Sequence, residues 1–414
     1  MRIAVIGSGI SGLASSWLLS RKHDVTLYEG NDYLGGHTHT HEIELGGRNL
    51  AVDTGFIVFS PDNYPLLSKL FAELEVQTQP TTMSFAVRNE RSGLEYNASN
   101  FAGLFCQKRN LVSPRFLRML RDIARFYRQA PALLRTSGEG PTLSEYLEQG
   151  GYSNAFRDDH IVPMASALWS SPSAQALQFP ARHMLAFMAN HRMLQASGRP
   201  QWRVVKGGSQ RYVSALRSQW RVRERAGCAA TAVHREPDGV RIASATGSEH
   251  YDQAVLACHS DQALSLLKDA RERERDILGA ITWQANDTVL HTDAGVLPKR
   301  RKAWAAWNAL VPAAPGGHCT VSYCMNLLQS LDAPEPIVVS LNATERIAPE
   351  KILQRMRYEH PVYTRAAVRA QARKHEIQGV DRTWFAGAYW GWGFHEDGMR
   401  SAVEVANGLG VRWP

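Results

Sequence analysis

The hydrophobic positions at the start of the chain predict a strand, a turn, a helix and a second strand. Arg2–Ile6 is a short apolar run of the kind that forms a buried parallel strand. It leads into a glycine-rich turn at residues 7–12, and an apolar helical pattern follows at 13–19. The next apolar run, Asp24–Tyr28, ends on the acid Glu29. We therefore expect a β-α-β unit at the N-terminus.

The rest of the chain alternates between strand and helix patterns, which is typical of a mixed α/β protein. Glycines between two alternating runs predict a hairpin over 42–52. Further strands are expected at 84–88, 94–97, 203–205, 230–234, 253–257 and 383–386. Helices are expected at 64–75, Pro114–Leu134, 142–149, 212–220 and 397–406, the third of these starting with a Thr142–Glu145 capping box. The charge run 271–276 predicts a solvated helix face, and the apolar run 161–172 predicts either core or a substrate tunnel.

Composition indicates a globular protein of more than one domain. The chain has 414 residues, of which 44% are hydrophobic and 21% charged. No apolar run approaches the roughly 18 residues that a membrane span needs. Glycines and serines interrupt residues 7–16 and favour a strand and turn over a signal peptide, so we expect a cytoplasmic protein. Five cysteines without a C-x-x-C argue against a disulfide framework or zinc site.

The net charge of +8 leaves two interpretations open. The basic residues are densest at 115–135 and 299–302. They either attract anionic partners such as phospholipid headgroups or form a solvated surface. No nucleic-acid-binding motif accompanies the charge, so we expect no nucleic-acid partner. Peripheral association with a membrane or with a lipid-modifying enzyme stays open, as does the oligomeric state.

The glycine-rich turn predicts a dinucleotide site. Gly7 permits the tight turn, Gly9 lets the backbone approach a pyrophosphate, and Gly12 lets the helix pack closely on the strand. The helix N-terminus offers unpaired N–H groups to the phosphates. Glu29 is placed to accept hydrogen bonds from a ribose diol and disfavours a 2′-phosphate, so NADP is not expected here. The turn alone leaves NAD and FAD open.

Two further glycine motifs favour FAD. Gly35-Gly36-His37-Thr38 follows the second strand, and Phe385-Ala386-Gly387 precedes a helix entered through Gly398. With the opening turn, these motifs resemble the flavin-containing amine oxidoreductase superfamily, which includes amine oxidases, protoporphyrinogen oxidases and phytoene-desaturase-like enzymes. Residues 53–59 and 389–398 are most similar to a bacterial group known only as predicted NAD/FAD-binding proteins, which are associated with cyclopropane-fatty-acid-synthase-like enzymes.

The resemblance implies an α/β fold with a Rossmann-like (GR2-type) FAD-binding domain and an inserted α+β substrate domain. The FAD-binding domain would comprise 1–78, 199–270 and 376–414, and the substrate domain 79–198 and 271–375. FAD would be non-covalent, because no cysteine matches a covalent attachment motif. The expected FAD-binding residues are Gly7, Gly9, Ile10, Ser11, Gly12, Glu29, Gly30, Gly35, Gly36, His37, Thr38, Gly55, Phe56, Ile57, Val233, Gly387, Ala388, Gly398 and Met399.

Three alternating histidines raise the question of a metal. On one strand, His37, His39 and His41 would share a face. No acid or cysteine completes a site at the usual spacing. His37 also stands where the superfamily often has an arginine near the flavin phosphates. We therefore expect no metal.

The candidate catalytic residues are His395, Glu396 and Asp397, which precede the C-terminal helix. One interpretation is proton handling during substrate oxidation. The other is helix capping together with flavin binding, because an acid at a helix start is an ordinary cap. Both interpretations stay open from the sequence.

The resemblance implies an FAD-dependent oxidoreductase. Our leading hypothesis is that it desaturates or oxidises an apolar substrate, such as a modified fatty acyl chain, by hydride transfer to the flavin N5 atom. An amine oxidase using oxygen is the first alternative. The residue after Phe385-Ala386-Gly387 is Ala388 rather than the usual acid, and the flavin-side lysine has no counterpart, which weakens this alternative. A flavin-bound, non-catalytic partner of a lipid-modifying enzyme is the second.

Overall fold

The chain folds around two large β-sheets, one parallel and one mostly antiparallel, with helices packed against both. The structure is a computed structural model that describes residues 1–169, 172–195, 197–314 and 319–414. Within these ranges no helix is both long enough and apolar enough to cross a lipid bilayer. Residues 170–171, which belong to the apolar run expected to form core or a tunnel, lie outside the described residues.

The first sheet has five parallel strands. Arg2–Ile6 lies at its centre, between Asp24–Tyr28 and Gln253–Leu256. Val222–Arg225 and Thr383–Phe385 form its two edges. Alternate residues of a strand point to opposite faces, and both faces of this sheet are covered by separate apolar cores. This explains why the central strands Arg2–Ile6 and Gln253–Leu256 are mostly apolar, whereas the edge strand Val222–Arg225 is not.

Two helices pack against each other on one face of the parallel sheet. Every residue of Ile10–Leu19 is buried, and this helix lies against the C-terminal helix His395–Gly408. A Cβ atom at Gly12 would lie 1.8 Å from the Gly7 carbonyl oxygen, so only glycine allows this helix to approach its strand. A Cβ atom at Gly398 would lie 2.6 Å from the Ile10 side chain, so the two helices also need a glycine where they meet.

The second sheet has seven strands. Its order is Ile352–Pro361, Trp283–His291, Val338–Leu341, Thr320–Cys324, Trp307–Val311, Phe85–Asn89 and Leu94–Asn97. Phe85–Asn89 and Trp307–Val311 pair in parallel, and the other neighbours are antiparallel. The helices Pro114–Leu134, Val162–Trp169 and Ala181–Asn190 build a third apolar core beside this sheet. Arg157–Ile161 is a π-helical turn that leads into the second of these helices.

Smaller elements complete the fold. Three small sheets contain the strands Ala230–Glu236, Gly239–Ser244 and Gly247–Tyr251; Thr40–Leu45 and Arg48–Asp53; and Val58–Phe59, Trp202–Val205 and Thr78–Thr81. The other α-helices are Pro65–Glu73, Phe101–Leu104, Leu143–Gln149, Asn154–Phe156, Ser173–Leu177, Gln210–Gln219, Ser260–Leu266, Glu272–Gly279, Met325–Leu328 and Arg365–Ala372. Single 3₁₀ turns occur at Lys108–Leu111, Ala294–Val296, Arg301–Ala303, Thr344–Arg346, Pro349–Lys351, Lys374–Glu376 and Ala388–Trp390.

Most of the local predictions are confirmed. The helix Pro114–Leu134 has the predicted bounds, and the capping box of Thr142 and Glu145 is present. The charge run at 271–276 lies on the helix Glu272–Gly279 and is exposed as predicted except at Glu274, which is buried and pairs with the covered side chain of Arg235 at 2.7 Å. Arg235 comes from a neighbouring strand, so the local charge pattern could not reveal the pair.

The two large sheets draw their strands from different parts of the chain. The parallel sheet uses only strands from the predicted segments 1–78, 199–270 and 376–414. The seven-stranded sheet uses only strands from 79–198 and 271–375. The exact domain boundaries stay a prediction.

Candidate active site

A single cavity of about 1150 Å³ connects the two sheets. It begins at the carboxyl end of Arg2–Ile6, where the glycine-rich turn and Glu29 form its wall. It ends at the seven-stranded sheet, where Phe85 and Trp307 line it. Ligands of open α/β sheets bind outside the carboxyl ends of the strands, so the cavity begins where such a ligand is expected.

The glycine-rich turn leaves room at the start of the cavity. Gly7 has a φ of +100°, which a side chain would rarely adopt. Gly9 lines the cavity, and a Cβ atom placed there would meet nothing within 4 Å. The helix beginning at Ile10 presents its N-terminus at this point. The backbone therefore forms an open cradle with unpaired N–H groups and a partial positive charge, which suits a pyrophosphate.

Glu29 supports the same turn. Its carboxylate accepts hydrogen bonds from the Ser8 N–H at 2.9 Å, the Ser8 hydroxyl at 2.6 Å and the Asn31 N–H at 2.8 Å. A carboxylate has about four acceptor positions, so the three bonds leave capacity for a ribose hydroxyl. The structure thus adds a second role to the predicted one, because Glu29 also holds the loops on either side of the cradle.

Three histidines line the middle of the cavity, and all are neutral at neutral pH. Burial, with a smaller contribution from His259, lowers the pKa of His37 to about 4. Burial and the neighbouring His37 lower the pKa of His360 to about 3, and the two rings are 5.3 Å apart. Burial and His360 lower the pKa of His259 to about 4. This part of the cavity therefore offers neutral hydrogen-bonding groups rather than fixed positive charge.

Some buried polar atoms in the wall lack hydrogen-bond partners within the described part of the chain. They include Nε2 of His37 and the hydroxyl of Tyr363. A buried polar group without a hydrogen bond costs about 1–3 kcal/mol, so such atoms are uncommon in native proteins. A bound polar cofactor would supply the missing partners. Together with the open cradle at Gly9, these atoms fit a long dinucleotide.

The far end of the cavity is apolar and aromatic. Its lining includes Met83, Phe85, Ala98, Met164, Ala167, Leu168, Trp169, Phe187, Trp307 and Leu341. Met164, Ala167, Leu168 and Trp169 belong to the run that the sequence assigned either to the core or to a tunnel, and they line the cavity. His160, in the preceding π-helical turn, also lines this end, and burial followed by Arg199 lowers its pKa to about 3.

Comparison with known families identifies the fold. The family model described as flavin containing amine oxidoreductase matches residues 10–282. The chain belongs to this family. It is an FAD-dependent oxidoreductase, and the predictions of the family, the cofactor and an enzymatic role are confirmed.

Individual relatives agree with the family assignment. A fatty acid isomerase from P. acnes that produces CLA superimposes with a TM-score of 0.68 and 16% identity, over 99% of this chain and 98% of that one. Wild-type putrescine oxidase bound to putrescine superimposes with a TM-score of 0.69 and 14% sequence identity, over 100% of both chains. These likenesses show the fold, and the predicted α/β fold with a Rossmann-like FAD-binding domain is confirmed.

A sequence relative matches a much shorter stretch. A 1-hydroxycarotenoid 3,4-desaturase from Flavobacterium sp. (strain P99-3) is 42% identical over 74 residues. The match covers 17% of this chain and only 14% of the length of that desaturase.

Most of the predicted FAD-binding residues of this flavin oxidoreductase line the cavity. They are Gly7, Gly9, Ile10, Ser11, Glu29, Gly30, Gly36, His37, Gly55, Phe56, Ile57, Gly387 and Ala388. Gly36 has a φ of +58°, and a Cβ atom there would lie 3.0 Å from the Cα atom of Gly9, so the second glycine motif packs on the first. When bound, FAD supplies an electron pair acceptor in the form of its isoalloxazine ring. The individual binding roles stay predictions.

Six predicted FAD-binding residues do not line the cavity: Gly12, Gly35, Thr38, Val233, Gly398 and Met399. The glycines at 12 and 398 allow close packing of helices, as described above. The Gly35 N–H donates to the Ser8 carbonyl at 3.1 Å, which joins the two glycine motifs. Val233 and Met399 are buried in apolar cores. Ala229 and Ala230, just before Val233, line the cavity in its place.

Of the three predicted catalytic residues, His395 lines the cavity, whereas Glu396 and Asp397 do not. His395 stacks on Phe56 at 3.7 Å, and its Nε2 lies 3.1 Å from the Thr38 hydroxyl and 3.3 Å from the Tyr212 hydroxyl. Burial, followed by the neighbouring His37, lowers the pKa of His395 well below its ordinary value. His395 is therefore a neutral, oriented imidazole at the cavity wall.

Glu396 and Asp397 face away from the cavity wall, and both act as helix caps. The N–H groups of Leu66 and Leu67 each donate to Glu396 at 3.0 Å, at the start of Pro65–Glu73. The N–H groups of Trp392 and Phe394 donate to one Asp397 oxygen at 2.9 and 3.1 Å, and Arg400 donates to the other. The geometry favours the capping interpretation that the sequence left open, because backbone amides donate to these oxygens, and a catalytic role stays a prediction.

Two of the three alternating histidines lie side by side, with the ring centroids of His39 and His41 4.1 Å apart, but His37 lies apart from them. The strand begins only at Thr40, so His37 and His39 precede it in a loop. His39 stacks on Tyr33 at 4.2 Å, and its Nδ1 lies 3.1 Å from the Tyr358 hydroxyl. His37 lies instead beside His360. The predicted alternation does not hold at His37, because Gly35 and Gly36 have positive φ angles and turn the chain immediately before this residue.

Several wall residues were missed by the sequence analysis. Cys258 and His259 directly follow Gln253–Leu256, at the carboxyl end of a parallel strand, and this position was a usable signal. Tyr358, His360 and Tyr363 come from the last long strand and the turn after it. Nothing in their local pattern distinguishes them from ordinary strand residues, because they reach the cavity only through the pairing of the seven-stranded sheet.

Proposed function

We propose that this FAD-dependent oxidoreductase oxidises or desaturates a long apolar chain that carries a carboxylate, such as a modified fatty acyl chain. The observation that carries the proposal is the apolar lining of the far end of the cavity. Burial of each CH₂ group in such a lining contributes about 0.8 kcal/mol, so a hydrocarbon chain gains binding energy along its length. The fold shared with a fatty acid isomerase supports the same substrate class.

A cationic group at the rim supports a carboxylate head. Arg199 lines the cavity and is exposed, so it stands at an opening. It lies beside Tyr127: burial raises the pKa of this hydroxyl, and the charge of Arg199 and a hydrogen bond to it oppose the shift. Arginine pairs well with carboxylates because its donors form a planar fork.

The acidic groups of the wall argue against a cationic amine. Among the described residues that line the cavity, the carboxylates are those of Glu29 and Glu359. Glu29 belongs to the cradle at the opposite end of the cavity. Glu359 lies in the middle of the cavity, where its Oε2 atom is 3.4 Å from Nδ1 of His259. The apolar end therefore has no carboxylate in its described lining that would neutralise a protonated amine.

Desaturation removes a hydride from one carbon and a proton from its neighbour. When bound, FAD would supply the hydride acceptor at its N5 atom, and a neutral imidazole of the wall, such as that of His37, would accept the proton. The apolar wall holds the chain and excludes water, which protects a reduced cofactor from side reactions. His37 and His360 are neutral and add no charge to the wall.

The test is anaerobic bleaching of the flavin absorbance by candidate substrates. We expect long-chain fatty acids to reduce the flavin and a panel of amines to leave it oxidised. Hydrogen peroxide release with amines, without any response to fatty acids, would replace this proposal by an amine oxidase. Absence of bleaching by either class, combined with stable binding of a lipid-modifying enzyme, would favour a non-catalytic partner.

The role of Arg199 has its own test. Arg199→Glu should raise KM about ten- to hundredfold for a fatty acid, because it replaces a charge-assisted bond by repulsion. The same variant should leave KM for the corresponding methyl ester almost unchanged. Arg192→Glu is the matched control, since Arg192 lies in the same loop, is half exposed and does not line the cavity. If Arg199→Glu and Arg192→Glu change KM equally, or if KM changes equally for the acid and the ester, Arg199 does not bind the carboxylate.

A further inference from the structure

Large exposed apolar side chains are concentrated in one short part of the chain. Among the described residues, the exposed large hydrophobics are Met1, Phe101, Leu111, Val112, Leu117 and Leu327. Four of these six lie between 101 and 117, and Phe101 and Val112 are 71% and 77% exposed. Scattered apolar residues are normal on a protein surface, whereas a cluster marks a site of interaction.

Ring contacts join the segments that carry these residues. Phe101 contacts Phe105 at 4.6 Å between ring centroids, and Phe105 contacts the buried Phe116 at 5.9 Å. The helix Phe101–Leu104 and the start of Pro114–Leu134 thus share one local core, and the turn Lys108–Leu111 between them contacts Pro114–Leu134, so the three form one outer surface. We call it the 101–128 surface.

The same surface is strongly basic. Its exposed cations are Lys108, Arg109, Arg115, Arg118, Arg121 and Arg128. Between residues 99 and 137 the only acid is Asp122, which is buried and accepts a hydrogen bond from the Ser153 N–H at 3.0 Å. The turn Arg301–Ala303, within the second basic run, contacts Phe101–Leu104 and extends the positive charge.

The cavity opens beside this surface. Ser99 is exposed and lines the cavity, two residues before Phe101. Tyr127 lines the cavity from the helix Pro114–Leu134, and the exposed Arg199 lies beside Tyr127. An apolar molecule bound at the 101–128 surface is therefore close to the opening of the cavity.

We propose that the 101–128 surface docks this protein onto the surface of an anionic phospholipid bilayer. Exposed Phe, Leu and Val side chains enter the boundary between headgroups and acyl chains, and the surrounding arginines and lysines bind the anionic headgroups. A second copy of the chain is a poor occupant, because two such basic surfaces repel each other. This docking does not depend on the identity of the substrate.

The test is co-sedimentation of the holoenzyme with vesicles. We expect binding to vesicles of phosphatidylcholine mixed with phosphatidylglycerol, little binding to phosphatidylcholine alone, and release at high salt. Phe101→Ser with Val112→Ser should lower the partition coefficient on the order of tenfold. Arg118→Gln with Arg121→Gln should lower it about 30-fold, since each cation near an anionic membrane contributes about a fivefold effect.

Matched controls use exposed residues elsewhere. Leu327→Ser replaces an exposed apolar residue on another element, and Arg221→Gln with Arg355→Gln removes two exposed charges. These variants should bind like the wild type, and the flavin spectrum should be the same in all of them. The proposal is overturned if the wild type ignores anionic vesicles, if the controls lose as much binding as the surface variants, or if the surface binds nucleic acid or self-associates but does not bind vesicles.

Discussion

Neutralising Glu396 and Asp397 distinguishes a capping role from a catalytic one. In Glu396→Gln, one carboxylate oxygen becomes an amide nitrogen, which cannot accept a hydrogen bond. One of the two N–H groups at the start of Pro65–Glu73 then loses its protein acceptor. In Asp397→Asn, a single carbonyl can still accept from Trp392 and Phe394, but the ion pair with Arg400 is lost.

The expected cost follows from these bonds. A hydrogen bond to a charged acceptor contributes about 1.5–3 kcal/mol, and replacement of a helix cap costs about 0.5–2 kcal/mol. Glu396 is only half-buried, so we take the lower part of these ranges. Glu396→Gln should therefore lower the free energy of unfolding by about 1–2 kcal/mol. The rate of flavin reduction by substrate should change less than about threefold, since neither carboxylate lines the cavity.

The assay combines chemical denaturation with anaerobic stopped-flow reduction of the flavin. Glu145→Gln is the matched control, because Glu145 is also an acid in a capping box, accepting from the Thr142 N–H at 2.7 Å, and does not line the cavity. It should keep the wild-type rate and lose less stability than Glu396→Gln, because Glu145 is exposed and a glutamine also serves at this position of a capping box.

A general acid or base contributes about 10²- to 10⁴-fold to a rate. A fall of that size in flavin reduction for Glu396→Gln or Asp397→Asn, with little change in stability and none in the Glu145→Gln control, would refute the capping assignment. It would also restore the proton-handling interpretation that the sequence left open.

Two further predictions concern the cradle and a buried acid. Gly9→Val should leave the apoprotein folded, because space is free around a Cβ atom there, but should weaken FAD binding roughly hundredfold by covering the N–H groups of the helix start, as measured by fluorescence titration of the apoprotein. Burial, opposed by bonds from Thr40 and Ser209, raises the pKa of Asp53 from 3.8 to about 6. Because the folded-state pKa is the higher one, this carboxyl contributes up to about 3 kcal/mol of stability that is present below about pH 4 and lost as the pH rises through about 6. Asp53→Asn should remove that part of the pH dependence, and identical denaturation profiles for both proteins across this range would contradict it.

Local structure was largely predictable along the chain. The helix Pro114–Leu134 repeats apolar residues at helical spacing, and the capping box at Thr142 identifies its own helix start. The charge run at 271–276 is exposed as predicted except at Glu274, whose partner Arg235 lies on a separate strand and leaves no local signal. Signals that depend on neighbours along the chain were therefore reliable, whereas those that depend on distant partners were not.

The same distinction between local signals and distant partners applies to the residues of the site. Gly7, Gly9 and Glu29 were found because each position in a tight turn before a helix has its own steric or hydrogen-bonding requirement. Glu396 stayed open between two roles, because its acidic residue type fits both a catalyst and a cap, and only the approach of Pro65–Glu73 shows which amides it accepts from.

The amino-acid sequence was sufficient to predict a dinucleotide site and, through its three glycine motifs, FAD as the dinucleotide. Backbone conformation at glycine is a local property, because the missing Cβ atom permits φ angles that other residues rarely adopt. The tertiary structure alone decided which side chains face the substrate end. His160, Arg199 and Trp307 are far apart in sequence and meet only because two sheets and a helical layer enclose one cavity. Convergence of that kind depends on packing between distant segments, which no local pattern records.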